Sequence, residues 1–437
     1  MRAAMKFAMI LILAAVVAPA RAQQPAAGAA PQGVQSAAPG QAAPEPVKLA
    51  DLLAEAERNH PALKAAARMV EAKQARVSQA RALPDPQVSL GYMGDFAPFK
   101  TQPGDPSSFR SIGVMQEFPY PGKRGLRGQI AEKDVDAARW DIELARRRVL
   151  AEVRVAYFEL WSVDKALDVT RRDKDLLEKL ANITEERYKV GKGLQQDVLR
   201  AQLEITRLLQ RLTVLEQRRG TLVGHLNALL QRPLDAPMGP LAPVEKPTFA
   251  YTLDELVERG VANAPEIRQQ EERISQSQVA LKLAERERYP DLGVGWDYQQ
   301  RPGMPEMFGL RFSVSIPIFY KDKQKQMAVE AASEKAAAEQ QREAIRTTLL
   351  FQVKEQYLAA RASEELLTLY SKALVPQSTL TMEAALAAYQ TGSLDFLNVL
   401  NSFLGVLDYE LGYYEELANF QVALSRLEEI TGFDLVK

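Results

Sequence analysis

The sequence predicts a mainly α-helical fold, made of long coiled-coil hairpins with a small β part of four strands and an internal two-fold repeat. Three observations support this class. Two long stretches have helical periodicity with few proline or glycine interruptions, and four short segments alternate apolar and polar residues. One set of motifs also occurs twice, about 200 residues apart. Because neither half of the 437 residues contains an internal break, one intertwined domain is favoured over several.

The repeat is clearest in a short stretch that contains a glycine. Residues 188–199 (the first tip) read YKVGKGLQQDVL, and residues 389–400 (the second tip) read YQTGSLDFLNVL. Glycine enters the left-handed backbone conformation without steric cost and commonly ends a helix, so each copy is predicted to be a helical hairpin tip. The first repeat is expected over 49–230 and the second over 248–437, joined by a proline-rich linker at 231–247.

The N-terminus is predicted to be a targeting signal. A basic region, a short apolar run and a small-residue cleavage site indicate a signal peptide over 1–22. An N-terminal membrane anchor is the alternative, but the run is too short to span a bilayer. Residues 23–48 are rich in Ala, Pro, Gln and Gly and are expected to form a disordered lead-in. The absence of cysteine excludes disulfides, thiolate metal sites and a lipid anchor on an N-terminal cysteine.

Four segments between the helical stretches are predicted to be β-strands, and the turn-forming loops within each pair predict two hairpins. Their ranges are 86–96, 109–118, 290–300 and 308–319. Aromatic residues cluster at the strand ends, as in the interfacial girdles of a membrane β-barrel, although a soluble hairpin with one polar face explains the alternation equally well. Four strands cannot close a barrel, because the smallest barrels have about eight. In a membrane the open edges would have to pair with other chains, which implies an oligomer.

The helical stretches predict long rods. About 65 residues from Gly122 to Val190 can form one helix of about 100 Å. The stretch from Lys321 to Gln390 repeats this length, with a kink expected at Pro376. Shorter helices are expected over 49–82, 194–230, 253–288 and 394–430. A coiled-coil seam with steps of four and three residues is predicted at Val149, Val153, Ala156, Leu160, Val163 and Leu167.

Nothing in the sequence indicates an enzyme. The net charge is −1 with acidic and basic residues interleaved, which gives no sign of a nucleic-acid partner. No nucleotide-binding, hydrolase or metalloprotease motif occurs, so no catalytic, cofactor or metal site is predicted. His60 and His225, the two histidines, are expected to be structural. Four methionines in or beside the strands suit either a soft metal such as copper or, as favoured here, packing; they are Met93, Met115, Met304 and Met307.

Taken in order, these motifs resemble the TolC family of outer-membrane efflux proteins over nearly the whole chain after the signal. The resemblance rests on the repeat, on P-x-P-Q-V-S-L at 84–90, on Q-E-F-P-Y-P-G-K-R at 116–124 and on the two Y-x-x-G tips. It implies a homotrimer whose strands form a twelve-stranded outer-membrane β-barrel and whose helices form a long periplasmic α-helical barrel. It also implies export as the function, with a periplasmic adaptor and a proton-driven RND-type inner-membrane pump as partners. The P-Y-P-G-K-R run resembles heavy-metal efflux components more than multidrug ones.

The resemblance further assigns roles at the two tips. Adaptor-docking turns correspond to Val190, Gly191, Lys192, Thr391, Gly392 and Ser393. A pore constriction or gate corresponds to Asp197, Tyr389, Asp395, Asn398 and Asn401. Tyr389 matches a latch tyrosine of the family. The two asparagines replace the pore aspartates of well-known members and Leu394 replaces a latch arginine, so that Asp395 would supply the remaining charge.

Two other function classes stay open beside the export duct. A non-transporting coiled-coil structural or surface protein would fit the helices but has no need of strands in the middle of each half. A periplasmic adaptor should carry one helical hairpin inside a β-rich body, whereas this sequence predicts two hairpin tips and few strands. The export duct is therefore the favoured interpretation.

Overall fold

A computed structural model describes residues 46–96 and 100–435, which belong to one compact unit, Glu45–Lys437. The predicted signal peptide and residues 23–45 of the predicted lead-in lie outside the described residues. The described chain is mainly helical and contains four antiparallel strands, which confirms the predicted fold class.

The two halves have the same order of elements, except that the long helix of the second half is interrupted. The first half contains α1 (Leu49–Asn59), α2 (Pro61–Arg81), β1 (Gln87–Met93), β2 (Phe109–Phe118), α3 (Lys123–Lys189) and α4 (Gln195–Leu229). The second contains α5 (Leu253–Asn263), α6 (Pro265–Arg286), β3 (Asp291–Gln300), β4 (Met307–Ser315), α7 (Gln324–Leu369), a π-helical turn (Tyr370–Leu374), α8 (Val375–Thr391) and α9 (Phe396–Thr431).

Proline divides two helices that were predicted to be single. The predictions over 49–82 and 253–288 are wrong, because each range contains two helices. The breaks fall at His60 (ψ 126°) and Ala264 (ψ 120°), each directly before a proline. A proline ring excludes the α conformation from the preceding residue, whereas the proline itself fits the first position of the next helix.

The irregularity expected at Pro376 is a π-helical turn that lies just before it. The turn covers Tyr370–Leu374, and α8 continues from Val375. A proline ring clashes with the carbonyl group four residues earlier, which here is Lys372 inside the turn. The wider π-helical spacing relieves such a clash without ending the helix.

The four strands form one antiparallel sheet in the order β1-β2-β3-β4. β2 and β3 join the two halves, with Val114 directly opposite Trp296. β1 and β4 are the outer strands. β4 ends at Ser315, four residues before the end of its predicted range, and Pro317 follows, which cannot donate a backbone hydrogen bond.

Helix packing follows the predicted seam. All six seam residues from Val149 to Leu167 are buried in one apolar cluster, which confirms that the predicted seam is a buried face of α3. A separate cluster joins α3, α4, α8 and α9 near the two tips, and Phe396 (0% exposed) is among its most deeply buried members.

A buried lysine fixes the turn from β2 into α3. Lys123 is 1% exposed, and its Nζ lies 2.8 Å from Glu287 Oε2 and 3.0 Å from Asp291 Oδ1. The same ammonium donates to the carbonyl oxygen of Tyr289 at 3.0 Å, and the ring of Tyr289 stacks on Tyr120 at 4.5 Å. We call these residues the lysine clasp. It binds the start of α3 to the segment between α6 and β3, so it ties the sheet to the long helices.

Candidate functional site

One face of the sheet is apolar. Directly opposite residues on neighbouring strands share a face, so the strand register identifies its members. Its apolar members are Val88, Leu90, Tyr92, Ile112, Val114, Phe118, Leu292, Val294, Trp296, Tyr298, Phe308, Leu310, Phe312 and Val314. The same register also places Gln116 on this face, and Arg110 and Gln300 at one end of it. Many of these side chains are exposed, Leu90 by 82% and Phe312 by 73%. An exposed apolar surface of this extent marks an interaction with lipid or with protein.

The opposite face is more polar and has smaller side chains. It carries serines or glycines from all four strands together with Asp297 and Arg311, whose charged groups lie 3.9 Å apart. Glu117 and the methionines Met93, Met115 and Met307 lie on the same face. Met115 packs over Gly293 and Gly295, where a Cβ atom would come within 3.5 and 3.1 Å of its Sδ. This contact agrees with packing as the use of Met115. A sheet with one apolar and one polar face suits a wall between lipid and water.

The side chains that could bind a metal ion are dispersed in the described part of the chain. Within residues 46–96 and 100–435, no group of three or more His, Asp or Glu side chains is placed to hold a metal ion. His60 caps α2, because its Nδ1 accepts a hydrogen bond from the Ala62 backbone N–H at 3.2 Å. In the same part of the chain, no helix combines the length and the apolar character that crossing a bilayer requires.

The hairpin tips lie at the α3–α4 and α8–α9 connections. Gly191 (φ 75°) and Gly392 (φ 82°) both adopt the left-handed conformation that the sequence predicted. Each donates its backbone N–H to the carbonyl of the tyrosine three residues earlier, at 2.9 and 3.0 Å. All six predicted docking residues are exposed, so other parts of the described chain leave these turns uncovered.

The two repeated tyrosines have different environments. Tyr188 is 45% exposed, whereas Tyr389 is 4% exposed and lies in the apolar cluster of the tips. The Tyr389 ring packs against Phe396 with 6.0 Å between centroids, and its hydroxyl donates to Thr184 Oγ1 at 3.4 Å. The side-chain hydrogen bond of Tyr389 is thus with α3, whereas Asp197, which was likewise assigned to the pore constriction or gate, lies on α4.

Arg187 is the principal residue of the tips that the sequence interpretation missed. Its guanidinium carbon lies 4.5 Å from the centroid of the Tyr389 ring, and its Nη1 donates to the Tyr389 carbonyl oxygen. Comparison of the repeats could not identify it, because the corresponding residue of the second tip is Ala388. The position of Arg187 directly before a repeated tyrosine was the one available signal.

The predicted gate residues at the start of α9 are close together and largely exposed. Asp395 is the N-cap, accepting from the Asn398 backbone N–H at 3.0 Å and from its side-chain amide at 2.6 Å. Asn398 and Asn401 are exposed and three residues apart, hence on one side of the helix. Burial raises the pKa of Asp197, and the negative charge of Asp395 raises it further. A hydrogen bond with the Leu194 backbone and the positive charge of Arg200 lower the pKa but do not cancel the rise. The charge of Asp395 in the second tip therefore affects the pKa of Asp197 in the first tip.

Comparison with known proteins gives the family. The family model described as "Outer membrane efflux protein" matches residues 52–230 and 256–432. This chain belongs to that family. It is 22% identical over 385 residues to the cobalt-zinc-cadmium resistance protein CzcC of Cupriavidus metallidurans, over 85% of this chain and 86% of that protein.

Solved structures show the same fold at low identity. The outer membrane protein VceC of Vibrio cholerae is 16% identical with a TM-score of 0.74, over 89% of this chain and 96% of VceC. The outer membrane channel MtrE of Neisseria gonorrhoeae, in its open state, is 18% identical with a TM-score of 0.73, over 89% of each chain. The family confirms the resemblance seen in the sequence, and these relatives are described as membrane proteins or channels rather than enzymes.

Proposed function

We propose that this protein is the outer-membrane exit duct of a tripartite efflux system. Three copies form a barrel from their sheets and a periplasmic tunnel from their long helices. An inner-membrane pump of the RND type delivers substrate through a periplasmic adaptor, and the duct conducts it passively. The observation that carries the proposal is the sheet, which has one exposed apolar face and two outer strands on the same chain as helices of tunnel length.

The outer strands support a ring of copies. β1 and β4 are the two ends of the strand order, so in the described chain each has a neighbouring strand on one side and can pair with a strand of another copy on the other side. An unpaired edge costs several kcal/mol per group in the bilayer core, so these edges must pair. Three copies of four strands give twelve, an even number within the natural range of about 8 to 26 for outer-membrane barrels.

The helices support the same arrangement. Exposed apolar residues lie along α7 and α8, where Phe351 is 65% and Leu380 is 66% exposed. Others lie along α4, where Leu199 is 56% and Leu203 is 51% exposed. Exposed leucines on long helices are typical of surfaces that pack against a further helix. Neighbouring copies would cover both sets when the sheets close into a ring.

Partners and cargo follow from the tips and from the relatives. The two exposed glycine turns leave backbone accessible for close contact with an adaptor. The likeness to CzcC, which is named for cobalt, zinc and cadmium resistance, favours divalent metal ions as cargo. In such an assembly the pump selects the substrate, so the duct needs no metal-binding site of its own.

Mass measurement and conductance test this function. In mild detergent we expect the mass of three chains, and in planar lipid bilayers we expect discrete channels. A monomer would contradict the stoichiometry, and a trimer that inserts without conducting would contradict the duct.

Two neighbouring positions on β4 provide a matched pair of variants. Phe312 lies on the apolar face and Ser313 on the polar face. Phe312→Lys should reduce membrane insertion, because a lysine facing lipid costs about 2–4 kcal/mol near the bilayer midplane. Ser313→Lys should insert normally and change the conductance. Equal insertion of the two variants would show that the apolar face does not meet lipid.

A further inference from the structure

We infer that a cavity at the helix end of the sheet binds the phosphate group of an anionic phospholipid, in the leaflet nearest the helices. The inference deepens the proposed function, since it rests on the apolar face of the sheet meeting lipid. The cavity lies where the end of α6 approaches the start of α3, and its volume is about 280 Å³. We call it the basic cavity, and its lining side chains are Leu126, Lys282, Glu285, Arg286, Arg288 and Tyr289.

The basic cavity presents three exposed cationic side chains. They are Lys282, Arg286 and Arg288. Arg286 Nη1 donates to the Pro121 carbonyl oxygen at 3.3 Å, and Arg288 Nη2 donates to the Tyr289 hydroxyl at 2.8 Å. Both acceptors are uncharged, and each guanidinium has further N–H donors. The planar guanidinium suits phosphate oxygens, and the lysine ammonium adds a point charge.

The neighbouring lysine clasp explains why the basic cavity keeps its positive charge. Glu287 and Asp291 lie close by, but both form ion pairs with Lys123, at 2.8 and 3.0 Å. Glu287 also pairs with Arg127 at 3.4 Å. The one carboxylate that lines the cavity is therefore Glu285, against three cations. Since a water molecule occupies about 30 Å³ in the liquid, the cavity has room for a phosphate group with bridging waters.

The length of β3 puts the basic cavity at the level of lipid headgroups. β3 has 10 residues, and a tilted strand needs about 9–11 to span a bilayer, so both of its ends reach an interface. Arg288 lies three residues before Asp291, the first residue of β3, and three residues extend at most about 10 Å. Tilted by about 45°, that distance is about the thickness of the headgroup layer. The stacked rings of Tyr120 and Tyr289 at this level are typical of an interfacial aromatic belt.

The two ends of the sheet differ in charge. Where the strands meet the helices, four segments together carry ten Lys or Arg and five Asp or Glu residues. The two loops at the other end together carry two Lys or Arg and three Asp or Glu residues. The four segments are 81–87, 118–127, 282–291 and 315–325, and the two loops are 94–108 and 301–306. Anionic headgroups attract basic residues near the membrane surface, so the helix end is the one that favours an anionic leaflet.

The segment after β4 continues the apolar face and then becomes basic. It leaves the sheet beside the start of β3, since Ser315 is directly opposite Asp291. Ile318 is 77% exposed, which extends the apolar surface beyond the strand. Three exposed lysines follow, at Lys321, Lys323 and Lys325. An apolar stretch that leads into a cluster of lysines is the arrangement expected at the boundary between acyl chains and anionic headgroups.

Native mass spectrometry of the purified protein in a neutral detergent tests the basic cavity. We expect the parent to bind phosphatidylglycerol more tightly than phosphatidylcholine, which has a phosphate but no net charge. The double variant Lys282→Gln with Arg288→Gln should weaken phosphatidylglycerol binding about twenty-fivefold, or about fivefold for each charge removed. It leaves Arg286 and its hydrogen bond to Pro121 in place. If this variant does not fold, Lys282→Gln alone should weaken binding about fivefold.

Lys100→Gln with Arg301→Gln is the matched control, because it removes the same charge at the loop end of the sheet. This control should keep the phosphatidylglycerol affinity within about twofold of the parent, in line with the lower density of basic residues there. Equal weakening by the two double variants, or parent-like affinity of the Lys282 variants, overturns the basic cavity as a lipid site. Inorganic phosphate that binds the parent, with phosphatidylglycerol bound no more tightly than phosphatidylcholine, would show a site for free anions and also overturn it.

Electrical recording in planar bilayers separates the basic cavity from the duct function. If the Lys282 variants lose the preference for phosphatidylglycerol but the parent does not conduct, the lipid site stands and the duct function is wrong. If the parent conducts and these variants bind phosphatidylglycerol as the parent does, the duct stands and the lipid site is wrong. Parent-like lipid binding with an altered reversal potential would place the three cations in the lumen, which also overturns the inference.

Discussion

Replacing the buried lysine of the lysine clasp by methionine should destabilise the protein strongly. Lys123 is 1% exposed, and the Glu287 and Asp291 side chains that it neutralises are 21% and 20% exposed. In Lys123→Met the Asp291 carboxylate loses its counter-charge in a poorly hydrated site, and Glu287 keeps only its longer ion pair with Arg127, at 3.4 Å. Breaking a buried ion pair by removing one partner costs about 3–5 kcal/mol. Since both carboxylates retain some contact with water, the lower end, about 3 kcal/mol, is expected.

The repeat supplies a matched control for this variant. Lys321 corresponds to Lys123 in the overlay of the two halves, and it is exposed. Lys321→Met should change the unfolding free energy by less than about 0.5 kcal/mol, as is usual for surface substitutions. The double variant Lys123→Met with Glu287→Gln should recover part of the loss, because it removes one of the two carboxylates that Lys123 neutralises.

The assay is the unfolding rate at one fixed temperature in detergent, followed by far-ultraviolet circular dichroism. A rate is the appropriate measure, because large membrane proteins rarely unfold reversibly. If the lysine clasp is broken in the transition state for unfolding, about 3 kcal/mol corresponds to a rate increase of about a hundredfold. A rate for Lys123→Met within about threefold of that for Lys321→Met would refute the argument that burial makes this ion pair strong.

Three further predictions concern the tips. The double variant Asn398→Asp with Asn401→Asp should increase cation selectivity and block by trivalent cations, because a carboxylate carries a full charge where an amide has a dipole. Reversal potentials equal to those of the parent would show that these residues do not line the constriction. The double variant Gly191→Val with Gly392→Val should strain both turns, since a β-branched residue disfavours positive φ. Membrane insertion should persist, whereas export and cross-linking to the adaptor should be abolished. Unchanged cross-linking would exclude the tips as the docking site. The pKa of the Asp197 carboxyl is raised in the folded state, so this group stabilises the fold when the pH is below the ordinary carboxyl pKa. That stabilisation is lost as the pH rises through the raised pKa of the folded state. Asp197→Asn should therefore increase hydrogen-exchange protection at the start of α4 at neutral pH and reduce its pH dependence, and an unaltered pH dependence would contradict this assignment.

Local pattern was enough to predict much of the fold. The alternation in Gly309 to Ile316 predicted a strand, and the spacing from Val149 to Leu167 predicted a buried seam, because side-chain period encodes the secondary structure and its buried face. The left-handed glycines of both tips were predictable for a similar reason, since the required backbone conformation is a property of one residue. The two helix breaks at Pro61 and Pro265 are also determined by local sequence, because a proline excludes the α conformation from the residue before it. The prediction of single helices followed the helical periodicity, which continues across both prolines.

Contacts between distant residues were decided by the tertiary structure alone. Lys123 meets Asp291 across 168 residues of sequence, and Arg187 meets Tyr389 across 202. The docking and pore roles of the tip residues remain predictions, since they depend on partners and copies beyond one chain. The clearest case is the repeated tyrosine, because Tyr188 and Tyr389 share a motif and a position in the repeat, yet one is exposed and the other buried. Sequence determined that each tyrosine stands beside a helical turn, and only the packing of Tyr389 against residues of α3 and α9 decided which of them lost its contact with water.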